Sequence, residues 1–170
     1  MQVRTSFLLG AAFATPAVAA DLNVSVEIPR LTVAEYHRPY VAIWVEDTSQ
    51  AFVQNLAVWY DLKLKDSGGT KWLKDMRQWW RKSGRELTLP VDGISGATRA
   101  PGEHALSFDT AKTGLDKLPA GQYELVVEAA REVGGRELVR VPFQWPLKAG
   151  QRAQTKGEHE LGTVSLQLKP

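Results

Sequence analysis

Tyr123-Glu124-Leu125-Val126-Val127-Glu128-Ala129-Ala130 and Glu137-Leu138-Val139-Arg140-Val141-Pro142-Phe143 stand on either side of Gly134-Gly135. Two runs rich in β-branched and apolar residues, separated by a Gly-Gly pair, predict a β-hairpin with its turn at the glycines. The same signature repeats outward. Residues 22–28 alternate apolar and polar side chains, 40–46 are apolar and β-branched, and 52–65 alternate with period two at their end. Residues 106–108 are a shorter strand candidate, and 163–168 close the chain. Seven strands without alternating helices argue for an all-β fold, an immunoglobulin-like antiparallel β-sandwich. The turn at 118–122 leads into Tyr123, the position of a tyrosine corner in such sandwiches.

One helix interrupts this pattern. Trp72, Met76, Trp79 and Trp80 fall at i, i+4, i+7 and i+8, the stripe of a helix over 72–82. Thr70 is its expected N-cap and Gly84 its stop. Neighbours on a helix diverge by about 100°, so Trp79 and Trp80 cannot both face inward. One of the two belongs at a rim. Residues 66–101 thus read as a long insertion: a turn, the helix, a short Leu87-Thr88-Leu89 stretch, then a glycine-containing loop. Connections of this length tend to carry function.

Residues 1–20 read as a cleavable secretory signal peptide: a single Arg4, a short apolar stretch over 7–13, and small residues at 17–20. The apolar stretch is too short to span a bilayer. Residues 21–170 then form one periplasmic domain that is not embedded in the membrane. The chain has no cysteine, which excludes thiol catalysis, Fe–S clusters and c-type haem attachment. Its net charge is +2 and its basic and acidic residues alternate, a solvated surface and no footprint for nucleic acid. His37, His104 and His159 show no metal-ligand spacing. Ser95 lies in no nucleophile elbow. Glu46-Asp47 and Glu103 are isolated acids, and Glu158-His159-Glu160 reads as a solvated strand start.

The insertion carries Asp92-Gly93-Ile94-Ser95-Gly96-Ala97-Thr98, the pattern D-x-x-S-G-A-T. Thr98 supplies a hydroxyl. Gly93 and Gly96 allow backbone conformations that a side chain forbids. Ala97 keeps the approach small, and Asp92 and Ser95 offer side-chain-to-backbone hydrogen bonds. The pattern resembles the flavinylation sequence in the FMN-carrying domain of the sodium-pumping NADH:quinone reductase and of the related Rnf complex. All its specified positions match, although the resemblance covers this loop alone. It implies covalent FMN, joined by a phosphodiester to Thr98 by a flavin transferase. That transferase supplies the base and the metal. Trp79 and Trp80 are then candidates to stack on the flavin, with Arg99 or Arg81 near the phosphate.

Most of the remaining chain resembles an uncharacterised family of small bacterial periplasmic proteins associated with PepSY-type membrane reductases. The similarity runs through Trp44-Val45-Glu46, residues 72–80 and residues 118–128. Two functions follow as expectations. One is a periplasmic electron-transfer flavoprotein, a carrier more than a stand-alone enzyme, exchanging electrons with such a reductase. The other is a non-catalytic binding or accessory module without flavin.

Overall fold

The computed structural model describes residues 21–148 and 150–169; the expected signal peptide lies outside them. Among the described residues, the strands are β1 (Asp21–Ile28), β2 (Tyr40–Asp47), β3 (Phe52–Tyr60), β4 (Ser95–Ala97), β5 (Gly102–Asp109), β6 (Gly121–Ala130), β7 (Arg136–Trp145), β8 (Arg152–Lys156) and β9 (Thr163–Lys169). They form two sheets, ordered β5-β1-β9-β8 and β4-β3-β2-β6-β7. The fold is the expected β-sandwich, antiparallel throughout except for the β3–β4 pair, which is parallel. No helix among the described residues is long and apolar enough to cross a membrane.

Burial explains the two sequence textures. β1 alternates because one face alone is covered: Leu22, Val24, Val26 and Ile28 point into the core between the sheets. β2 does not alternate, and Val41 to Glu46 are all buried. A strand covered on both faces reads as a continuous apolar run. Val41, Ile43 and Val45 enter the inter-sheet core, while Ala42 and Trp44 join a second apolar cluster on the outer face. That outer face is roofed by the insertion, through Leu73, Met76 and Trp79. Each buried aliphatic side chain contributes about 1.5–3 kcal/mol relative to exposure.

The insertion departs from the expected single helix. A 3-10 segment spans Lys65–Asp75, the α-helix α1 covers only Arg77–Lys82, and a second 3-10 turn spans Gly84–Glu86. The buried stripe is Leu73 in the 3-10 segment, Met76 at the junction and Trp79 in α1, while Trp72 stays 41% exposed. Thr70 is not the N-cap of α1. Met76 holds that position without a side-chain cap, and the carboxylate of Glu128 on β6 accepts from the N–H groups of Gln78 (3.0 Å) and Trp79 (2.8 Å) instead. Two more polar pins hold the roof. Trp79 Nε1 donates to Asn55 on β3 at 2.9 Å, and Lys82 pairs with Glu46 on β2 at 3.0 Å. The acid at Glu46 is therefore a buried structural anchor, also bonded to Trp44 Nε1 and Arg140. Gly84 lies under Trp79, where a Cβ would meet the indole at 2.6 Å.

Other boundaries differ for similar reasons. β3 ends at Tyr60, and the alternation beyond it runs off the sheet, leaving Leu62 and Leu64 exposed. The candidate at 106–108 is the end of the longer β5. β4 and β8 were not readable: β4 is three residues long, and β8 is an edge strand of mostly polar residues. The β6–β7 hairpin is present, but residues 131–135 form its loop, closed by Arg131 N–H to Gly135 O at 3.0 Å. Val133, not a glycine, takes the positive φ of 52°. Gly135 instead makes room for Glu160, whose carboxylate a Cβ there would meet at 2.5 Å. Glu160 is no solvated strand start: it is buried and pairs with Arg131 at 3.0 Å, ahead of β9. Tyr123 does form the tyrosine corner, its hydroxyl donating to Pro119 O at 3.0 Å.

Candidate functional site

The motif is an edge strand and its flanks. Val91 and Ser95 close a tight turn, with Ser95 N–H donating to Val91 O and Val91 N–H donating to Ser95 Oγ, both at 2.9 Å. Within it Asp92 and Gly93 are exposed, and Gly93 has φ 75° with open space around it. Ser95, Gly96 and Ala97 then pair in parallel with Val58, Trp59 and Tyr60. Gly96 lies over Trp59, where a Cβ would approach Cδ1 at 3.2 Å. The strand ends at Thr98, whose N–H donates to Tyr60 O at 3.2 Å.

That ending brings Ala97 and the part-exposed Thr98 to an open cleft of about 580 Å³ at one end of the five-stranded sheet. The volume is in the range of small-molecule sites. Tyr40 and Tyr60 come from the start of β2 and the end of β3, their rings edge to face at 6.4 Å. Tyr36 reaches in from the segment before β2, and Trp72 from the 3-10 segment. The hairpin loop contributes Arg131 and Glu132. Four aromatic side chains thus converge from four separate segments.

The polar groups divide into fixed and free. Arg131 is committed to Glu160 by two hydrogen bonds of 3.0 Å, which hold its guanidinium firmly protonated. His37 faces Glu35 at 3.0 Å and Glu132 at 3.7 Å. Arg38 and Lys63 are exposed at the cleft and have no ion pair among the described residues. Tyr36 Oη is buried without a hydrogen-bond partner. Burial raises the pKa of Tyr36 and of Tyr40 above the ordinary tyrosine value, so both phenols remain donors. The arrangement suits a planar, partly apolar ligand carrying an anionic group: ring faces for stacking, a phenol to donate, and cations at the mouth.

The other sequence candidates lie elsewhere. Trp79 is fully buried in the roof. Trp80 tilts against it at 6.4 Å and lines a shallow groove with Arg81 and Arg136. Arg99 stacks over Trp59 at 5.4 Å on the far side of β4. His104 packs edge-on against the same indole at 5.9 Å, and the described residues contain no cluster of acids and histidines fit to hold a metal. Sequence reasoning missed Tyr36, Tyr40, Tyr60, Arg38 and Lys63, and took Trp72 for core. Tyr60-Asp61 at the end of an apolar strand, and two tyrosines flanking Pro39, were the local signals available.

A family model described as a predicted periplasmic protein (DUF2271) matches residues 21–163. No curated protein and no solved structure matches the chain.

Proposed function

The chain belongs to the DUF2271 family of predicted periplasmic proteins, and we propose that in this compartment it carries electrons on FMN esterified to Thr98. The observation that carries the reading is that Thr98, the acceptor position of the D-x-x-S-G-A-T pattern, lines one cleft with Tyr36, Tyr40, Tyr60 and Trp72. The residues present fit such a group. Tyr36 Oη has no partner of its own and offers a hydrogen bond to a ligand carbonyl or ring nitrogen. The edge-to-face tyrosine pair and the exposed Trp72 supply apolar walls. Arg38 and Lys63 supply charge for a phosphate.

When bound, FMN supplies the one- and two-electron chemistry. The protein's part is to hold and tune it. Thr98 Oγ would be the attachment atom: the flavin transferase would supply FAD, the Oγ–P bond would form as the pyrophosphate bond to AMP breaks, AMP would leave, and the Thr98 proton would pass to the transferase's base. The Tyr60 carbonyl, accepting from the Thr98 N–H, holds Thr98 at the lip. The aromatic walls limit water on the faces they cover, and the mouth stays open to an electron-exchange partner. A PepSY-type membrane reductase is the partner that the sequence resemblance implies. Covalent attachment suits the periplasm, where a dissociable flavin is lost by dilution.

The test is direct. The chain is co-expressed with a flavin transferase, denatured, run on a gel and viewed for flavin fluorescence. A fluorescent band in the wild type that vanishes in Thr98→Ala supports the reading. A dark wild-type band, or fluorescence that survives Thr98→Ala, overturns it and leaves the cleft to a non-covalent ligand.

A further inference from the structure

The cleft mouth has an unusual rim. Six large apolar side chains are exposed among the described residues, and four of them, Leu62, Leu64, Trp72 and Val133, border this cleft and the groove that adjoins it. Val133 is the extreme case. It is 83% exposed at the tip of the β6–β7 loop and holds a φ of 52°, a conformation that β-branched residues rarely adopt. An apolar tip kept in such a backbone marks a functional surface rather than a filler.

The insertion that borders this rim is basic. Residues 62–86 carry eight Lys and Arg against three Asp and Glu, in a chain whose entire net charge is +2. Arg77 lines the adjoining groove, Lys74 lines the neighbouring groove of Trp80, and Lys63 is at the mouth itself. Asp61, Asp75 and Glu132 line the same cleft as Arg38 and Lys63, so the positive balance comes from the insertion as a whole.

Separate apolar tips, an amphipathic tryptophan and surrounding cations make up the chemistry of a peripheral membrane contact. We propose that this rim docks on an anionic phospholipid bilayer, inserting Trp72 and Val133 at the headgroup level while the cations face lipid phosphates. Docking in this way turns the cleft and Thr98 toward the membrane surface. The proposal is independent of any flavin, because the rim residues are present in the unloaded chain.

The experiment uses the unflavinylated protein with protein-free vesicles, one set of phosphatidylcholine alone and one with a large phosphatidylglycerol fraction. Co-sedimentation with the anionic set alone, falling with added salt, is expected. Val133→Asp and Lys74→Glu should each weaken partitioning about tenfold, while neither variant lowers the melting temperature. Tryptophan emission should shift blue on anionic vesicles, and the shift should disappear in Trp72→Ala. No binding to anionic vesicles overturns the proposal. So does binding that ignores salt and both substitutions.

Discussion

Gly96 of the motif strand lies directly against the Trp59 indole, close enough that a Cβ would stand 3.2 Å from Trp59 Cδ1. The glycine therefore has a role in the fold as well as any role in exposing Thr98. Trp59 is held in turn by His104 and Arg99, so it has little room to yield. Gly96→Ala should cost about 1 kcal/mol and Gly96→Val clearly more, both read by thermal unfolding. Gly93→Ala, at φ 75° with open space, should also destabilise, but through backbone strain and not collision.

Glu128 caps α1 from across the sheet and pairs with Arg136 at 2.6 Å, fully buried. Glu128→Ala removes the acceptor for two helix N–H groups and leaves a cavity under the roof. A loss of about 2–4 kcal/mol is expected in urea unfolding. Trp79 should gain solvent as the insertion loosens, seen as a red shift of tryptophan emission.

Glu137 accepts hydrogen bonds from the N–H groups of Glu158, His159, Glu160 and Leu161, at 2.6 to 3.0 Å. Burial alone would raise its pKa, but the four donors outweigh burial and hold it below the ordinary glutamate value. A depressed folded pKa adds stability above the unfolded pKa, and that stability is lost as pH falls through the folded value. Wild type should therefore weaken on acidification below about pH 4.3. Glu137→Gln should be less stable near neutral pH by about 1–3 kcal/mol, and the two stability curves should converge in acid.

In flavin-loaded protein, Trp72→Ala should leave attachment at Thr98 intact and raise the fluorescence of the native protein, since an aromatic wall beside a flavin quenches it. Trp80→Ala, outside the cleft, should change neither. Equal effects from both variants would remove Trp72 from the wall.

Tyr123→Phe keeps the ring against Phe143 but deletes the bond to Pro119 O. The expected cost is about 1 kcal/mol, measured as a lowered melting temperature with an unchanged spectrum.

Local patterns carried the sheets and the motif, and failed where contacts are distant. β1, β2, β6, β7 and β9 were legible because alternation or continuous apolarity is a property of neighbours in sequence. The cleft was not, because Tyr36, Tyr60, Trp72 and Thr98 meet only once β4 has paired with β3 and the roof has settled. Trp72 misled because a stripe read at 3.6 residues per turn assigns it to the core, whereas the 3-10 backbone turns it outward. Val133 went unnoticed because nothing in a Val-Gly-Gly sequence says which residue takes the left-handed conformation.

By itself the amino-acid sequence determined that the chain is a β-sandwich with one long insertion, and that Thr98 ends an acceptor-like pattern within it. These follow from short-range periodicity and residue chemistry. Only the tertiary structure decided that the pattern is an edge strand, that Trp79 is roof and Trp72 is wall, and that Thr98 opens onto an aromatic cleft with an apolar rim. Those outcomes depend on long-range pairing and on buried anchors such as Glu46 and Glu128, whose partners lie dozens of residues away.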